Sequence, residues 1–249
     1  MKEKYDVPIA AEADFVSYMM KQMASFGLSC TEAQAKDFYI YYAHMIETNK
    51  FLNLTGITGM KEVVVKHMID SLSCYDSDIM RPKSTVIDVG TGAGFPGIPL
   101  AIYDRTLQVT LFDSLKKRLN FLDDIIAKLN LTNCRTLHGR AEDLSHQSFR
   151  ESFHIATSRA VARLPILLEW TLPYVKQGGY MIALKGAIYE EEIGESTKAL
   201  EILKGRITDV KQVTLPTLDD TRAVVYIEKI GTTPKQYPRK PKVIKDMPL

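Results

Sequence analysis

The stretch from Val86 to Gly97 constrains this chain more than any other. An apolar run, Val86-Ile87, leads into Asp88-Val89, and glycines follow at positions 90, 92, 94 and 97. Glycine accepts backbone angles that other residues avoid and presents no side chain to block a ligand. Three glycines at alternate positions exceed what a tight turn requires. A buried strand that hands such a loop to a helix N-terminus builds a site for a nucleotide-like cofactor, and it commits the chain to an α/β fold.

Two cofactors compete for the loop. Gly92-x-Gly94-x-x-Gly97 has the dinucleotide spacing. The register from Asp88 reads acid-x-Gly90-x-Gly92-x-Gly94, which resembles the loop of S-adenosylmethionine (SAM) methyltransferases. Electrostatics separates them. A carboxylate at position 88 repels a pyrophosphate but suits the ammonium and sulfonium of SAM, while the helix N-terminus suits SAM's carboxylate. Asp88, Gly90 and Gly92 are therefore expected to contact SAM. An NAD-dependent oxidoreductase and a non-catalytic protein that binds SAM or RNA stay as the alternatives.

Bulk properties exclude several classes. With 45% hydrophobic and 25% charged residues in 249, the chain has the composition of a soluble globular protein. No run approaches the roughly 20 apolar residues that cross a bilayer, and Met1–Asp6 leads into no apolar signal core. Cys30, Cys74 and Cys134 are scattered, which argues against a disulfide framework and for a cytoplasmic location. The five histidines lack metal-ligand spacing, and no metal is expected.

The net charge of +2 is unevenly spread. Residues 1–83 hold nine Lys/Arg against eleven Asp/Glu, whereas the end of the chain holds Lys235, Arg239, Lys240, Lys242 and Lys245 against Asp246. With prolines at 234, 238, 241 and 248 this end cannot be one continuous helix. It reads either as a phosphate-contacting tail or as a solvated terminus.

Periodicity divides the chain into an N-terminal helical segment (1–83) packed on the core, an α/β domain (84–231) and a basic, proline-rich tail (232–249). Helices are expected from about Ile9 to Phe26, then from a cap at Ser29 or Thr31, then over Glu62–Ser73. The methionine and tyrosine stripes of the first two are read as core. Strands are expected at 85–89, 108–113, 134–138, 153–158, 180–185, 207–215 and 223–230, with helices near 97–103, 115–129, 164–175 and 189–204. Alternating strands and helices imply a mostly parallel, seven-stranded sheet covered on both faces, with an antiparallel strand at the C-terminal end.

Ligands of such a sheet bind beyond the carboxyl ends of its strands. The second strand ends at Asp113, placed to accept from ribose hydroxyls. The third leads to Ala141 and Glu142, which can read an adenine edge. The fourth and fifth lead to Arg159, Arg163 and Lys185, three cations suited to a phosphate or to the O6 of a purine.

Several strings resemble one family in order along nearly the whole chain: Asn49-Lys50-Phe51-Leu52-Asn53-Leu54-Thr55, His67-Met68-Ile69-Asp70-Ser71, Asp88 to Pro96, Gly139-Arg140-Ala141-Glu142 and Ser158 to Arg163. They are similar to RsmG (GidB), the bacterial 16S ribosomal RNA guanine-N7 methyltransferases. The resemblance implies a Rossmann-like, class I SAM-dependent fold. It implies SAM as donor and a guanine in the decoding-region loop of 16S rRNA, or of a small-ribosomal-subunit particle, as acceptor. It implies cofactor contacts at Gly90, Phe95, Ala141, Glu142 and Arg159. Guanine N7 has a free lone pair and no proton to lose, so positioning suffices without a general base. In this reading Arg163 and Lys185 hold the base or its phosphate, Asn53 helps build the acceptor pocket, and Arg239 and Lys240 grip flanking phosphates. No obligate protein partner is expected, and the chain reads as a monomer.

Overall fold

Thr31, not Ser29, starts the second helix. Its Oγ1 accepts from the Gln34 N–H at 3.2 Å while Gln34 Oε1 accepts from the Thr31 N–H at 2.9 Å, a reciprocal capping box. The computed structural model describes residues 7–146 and 148–249, so the expectation for Met1–Asp6 lies outside the described residues. The N-terminal part forms α1 (Glu12–Ser25), α2 (Glu32–Leu52), α3 (Met60–Val63) and α4 (Asp70–Leu72), the last two joined by a π-helical stretch, Val64–Ile69. Phe15, Met19, Tyr41, Tyr42 and Met45 are fully buried, as the apolar stripes predict.

Strands and helices then alternate: β1 (Thr85–Val89), α5 (Gly97–Tyr103), β2 (Gln108–Asp113), α6 (Lys116–Lys128), β3 (Cys134–His138), α7 (Ala141–Leu144), β4 (Phe153–Arg159), α8 (Leu164–Thr171), β5 (Val175–Lys185), α9 (Tyr189–Glu195), α10 (Thr197–Leu203), β6 (Gly205–Val213), β7 (Arg222–Lys229) and α11 (Pro241–Asp246). Three boundaries differ most from expectation. The helix read over 164–175 stops at Thr171 and passes into a 3₁₀ turn around Pro173, which has no N–H to continue the ladder. The strand read from 180 begins at Val175. The helix read over 189–204 divides at Ser196, whose hydroxyl donates to the Glu192 carbonyl at 2.7 Å.

The sheet order is β3-β2-β1-β4-β5-β7-β6, with β7 antiparallel to both neighbours. From β1 the chain builds outward through β2 and β3, then returns to add β4 and β5 on the other side. A crevice opens at this reversal, above β1 and β4. Successive side chains of β1 enter opposite layers. Val86 joins the layer of α1, α2, α5 and α6, and Ile87 and Val89 join that of α8 and α10.

The basic end is not a loose terminus. Arg150 donates to the carbonyls of Thr233 (2.8 Å) and Tyr237 (2.9 Å), and Ile244 of α11 is fully buried.

Candidate active site

Two adjoining cavities open at the carboxyl ends of the strands. The larger, about 710 Å³, lies between the glycine loop, the β4 and β5 ends and the N-terminal helices; Thr55, His67, Arg159, Lys185 and Arg222 line it. The second, about 510 Å³, lies over β2 and β3, against Asp113, Ala141, Glu142 and Trp170. They share Gly90, Arg118, Ala160 and Val161.

Gly90 sits where the two meet. Its φ is +75°, and a Cβ there would lie 2.6 Å from Val161 Cγ2. A side chain would strain the backbone and fill the junction. The loop is held from above by Tyr41 of α2, whose hydroxyl donates to the Ala93 carbonyl at 2.6 Å.

Asp88 does not face either cavity, which corrects the electrostatic expectation for it. The side chain is fully buried. Its Oδ2 accepts from Thr91 Oγ1 at 2.6 Å and from the Gly97 N–H at 2.9 Å. Burial pushes its carboxyl up to about 6, against the pull of these donors. Asp88 fixes the loop between β1 and α5 rather than meeting a sulfonium. Gly92 lines the larger cavity, but its N–H is taken by Asp113 Oδ2 at 3.0 Å. The other oxygen, Asp113 Oδ1, accepts from the Leu115 N–H at 2.8 Å, so this carboxylate both orders the loop and edges the second cavity.

Ala141 and Glu142 come together with Asp113 in the second cavity, as the strand ends predict. Ala141 opens α7, so its N–H has no partner within that helix.

The three expected cations separate. Arg159 lines the larger cavity but is held by the N-terminal helices. Its Nη1 donates to Asp70 Oδ2 (2.7 Å) and to the Lys66 carbonyl (2.9 Å), and its guanidinium lies 4.8 Å from the Phe95 ring centre. Lys185 lines the same cavity, yet donates to the Ala162 carbonyl at 2.8 Å and pairs with Glu192. Arg163 lines neither cavity; it pairs with Glu191 and Glu195 of α9 at 2.7 Å each. The expectation that Arg163 holds the acceptor is thereby corrected: two carboxylates one helical turn apart draw it outward.

Asn53 is likewise no pocket residue. It is the exposed, left-handed C-cap of α2, with φ 48°. The neighbouring Asn49 shapes the loop instead. Its Oδ1 accepts from the N–H groups of Leu54 (2.6 Å) and Thr55 (2.9 Å), and its Nδ2 donates to the Thr55 carbonyl. Arg239, expected on RNA phosphates, is occupied by Glu169, a fully buried carboxylate that it meets through Nε (2.9 Å) and Nη2 (2.7 Å). Lys240 remains exposed.

His67, Asp70 and Arg222 were not singled out as site residues from the sequence, although the first two stand in a family-like string. The π-helical stretch carries Lys66 and His67 to the cavity wall, a use common for such distortions. His67 stacks on Phe95 with ring centres 4.5 Å apart, and Thr55 Oγ1 lies 2.8 Å from its Nε2. Arg159 Nη2 points at Nδ1 from 3.2 Å. The Lys66 carbonyl lies 3.2 Å from the same Nδ1; arginine only donates and a carbonyl only accepts, so Nδ1 serves one of the two, according to the tautomer. Burial, then the charge of Arg159, pulls the His67 pKa down to about 3. Arg222 approaches the second oxygen of Asp70 at 3.4 Å.

The sheet order, the glycine loop and the paired cavities define a class: a SAM-dependent methyltransferase with a Rossmann-like domain. The residues fit that cofactor, since Gly90 leaves open the space a side chain would fill and Asp113, Ala141 and Glu142 border a cavity of about 510 Å³, room enough for a nucleoside. Solved structures share the fold at low identity. The pre-rRNA processing protein fibrillarin of Methanococcus jannaschii aligns at TM-score 0.50 and 17% identity, over 65% of this chain and 74% of its own. TYW2 of P. horikoshii, solved with MeSAdo, aligns at TM-score 0.51 and 13% identity, over 65% and 62%.

Residues 34–221 match the family described as rRNA small subunit methyltransferase G. Among relatives, a ribosomal RNA small subunit methyltransferase G of Lactobacillus johnsonii is 44% identical over 88% of this chain and 93% of its own. One from Clostridium botulinum (strain Eklund 17B / Type B) is 47% identical over 91% and 95%, and one from Thermoanaerobacter sp. (strain X514) is 46% identical over 94% and 98%. The chain belongs to the rRNA small subunit methyltransferase G family.

Proposed function

We propose that this chain methylates N7 of a guanine in the decoding-region loop of 16S rRNA, acting as a cytoplasmic monomer on the RNA or on a small-subunit particle. The helical segment 1–83 and the α/β domain 84–231 together frame the cleft. Among the described residues no helix is long and apolar enough to cross a membrane.

SAM supplies an electrophilic methyl group on a sulfonium. Asp113 would accept from the ribose, with Ala141 and Glu142 at the adenine and Gly90 and Phe95 along the methionine side. Arg118, which borders both cavities, carries positive charge to their junction. The acceptor enters the larger cavity past Thr55, Lys185 and Arg222.

One observation carries the choice of a lone-pair nitrogen. The groups in the larger cavity that could remove a proton are engaged. Asp70 is paired with Arg159 and Arg222, Glu192 with Lys185, and His67, its basicity lowered by burial, lies between Thr55 and Arg159. A hydroxyl or amide acceptor needs a base poised near the working pH; guanine N7 needs none. Orientation of that atom against the methyl then supplies most of the acceleration, on the order of 7–11 kcal/mol in favourable cases. Mass mapping of methylated guanosine in small-subunit RNA, from cells with and without this protein, tests the reading. Loss of one N7-methylguanosine supports it, and an unchanged map overturns it.

A further inference from the structure

The C-terminal segment, which composition leaves as either a phosphate grip or a solvated terminus, runs along the second cavity. Its path is fastened at four points. The Thr233 N–H donates to Glu151 at 2.8 Å, and the buried Lys229 donates to Thr233 Oγ1. Arg150 holds the carbonyls of Thr233, Pro234 and Tyr237. His146 Nε2 lies 3.0 Å from the Pro238 carbonyl. Arg239 closes on Glu169 of α8 through its backbone N–H (2.7 Å) as well as its guanidinium.

These fastenings lay α11 on α8, with Ile244 fully buried beneath it. As a result Pro241 and Lys245 line the cavity that also holds Asp113, Ala141 and Glu142. Trp170 of α8 lines it too, and its indole Nε1 is buried without a partner among the described residues.

We propose that α11 and Trp170 form the outer wall of the adenosine half of the SAM cleft, with Trp170 and Pro241 packing against the bound nucleoside and Lys245 standing at its edge. The inference rests on the reading of the second cavity as the adenosine site. The segment 232–249 then governs affinity for the cofactor and its demethylated product, and contributes little to holding RNA. A phosphodiester grip would draw on the tail cations, yet Glu169 has taken up Arg239 and Lys245 lines the second cavity.

Calorimetry on the full chain tests it, with S-adenosylhomocysteine and 5′-methylthioadenosine as probes. The second probe lacks the amino acid, so a wall that touches adenosine must affect both alike. Trp170→Phe takes one ring of the indole off the wall and is expected to weaken both by about three- to tenfold, through lost packing against the adenosine. Ile244→Asp, which lifts α11, is expected to weaken both by at least about tenfold. Lys245→Glu keeps the fold, since the side chain is exposed, and reports on the edge should Ile244→Asp fail to fold. Binding of a small-subunit RNA fragment stays within about twofold in all three. Unchanged probe affinity in Trp170→Phe and Lys245→Glu overturns the proposal, as does a loss confined to RNA. Failure of the unaltered chain to bind either probe would instead overturn the reading of the cleft itself.

Discussion

Arg159 and Asp70 meet at 2.7 Å across the boundary between the N-terminal helices and the end of β4. Both side chains are largely withdrawn from water. The remaining guanidinium contacts go to the Lys66 carbonyl and His67, and Phe95 of the glycine loop lies against its face. One arginine thus ties the π-helical stretch, the cofactor loop and the sheet into a single wall of the larger cavity. The helices before β1 are part of the site and not merely packed behind it.

Asp70→Ala leaves the Arg159 charge buried without its carboxylate. Removing one partner of a buried pair typically costs about 3–5 kcal/mol, and Arg222 nearby adds repulsion. Urea unfolding is expected to show a loss near the lower end of that range, since Arg159 keeps some solvent. Arg159→Lys does not substitute, because a lysine cannot fork between Asp70 and the Lys66 carbonyl. Stability of Asp70→Ala within about 0.5 kcal/mol of the unaltered chain would show that the pair is decorative.

Gly90→Ala places a methyl on Val161 at a backbone angle that costs an L-residue about 1–2 kcal/mol. The expected result is a small loss of stability and a loss of S-adenosylhomocysteine affinity of at least about tenfold. The double change Gly90→Ala with Val161→Ala removes the clash but not the strain, so affinity should return in part. If it does not return at all, the junction is not limited by Val161.

How far the sequence speaks depends on range. The loop from Val86 to Gly97 folds as its spacing demands, and Asp113, Ala141 and Glu142 converge because successive parallel strands end on one edge of the sheet. Asp88 could have been placed correctly: it shares its strand face with Val86, two residues earlier, and that face lies under α5, not toward the opening. The pairings of Arg163 with Glu191 and Glu195 and of Arg239 with Glu169 span 28 to 70 residues. No local period links such partners, so charge composition suggested free cations where the fold provides carboxylates. The π-helical stretch leaves no signature in hydrophobic spacing either, and with it the cavity-facing role of His67 stayed hidden.

His67 makes stability fall in acid. Its pKa is about 3 when folded and near 6.5 when unfolded. Between those values the unfolded chain binds the extra proton, so the contribution is intact above pH 6.5 and is lost progressively as pH drops toward 3. Asp88 works the other way, since its raised pKa lets the folded chain hold a proton between about 4 and 6. Comparing the chain with His67→Gln isolates the histidine. From pH 6 to 4.5 the unaltered chain should lose about 2 kcal/mol more than the variant. Parallel pH profiles for the two would mean that His67 is not kept neutral by the fold, and its ring resonances should then titrate near 6.

Lys185 and Arg163 answer differently to removal, although the sequence presents them as equivalents. Lys185 lines the larger cavity and is balanced there by Glu192, which also accepts from the Leu164 N–H at 2.7 Å and so anchors the start of α8. Lys185→Ala leaves Glu192 a buried, unpaired carboxylate beside the entering RNA, where negative charge repels phosphate. Single-turnover methylation of small-subunit RNA is expected to fall by at least about tenfold, with a protein less stable by a few kcal/mol. Arg163→Ala removes an exposed pair that is screened by water and salt, so stability should shift by less than about 1 kcal/mol. Methylation by that variant should stay within about twofold of the unaltered chain, because the side chain lines neither cavity. A collapse of turnover in Arg163→Ala with Lys185→Ala still active would reverse the assignment, and would mean that Arg163 leaves its glutamates and swings inward once RNA is bound.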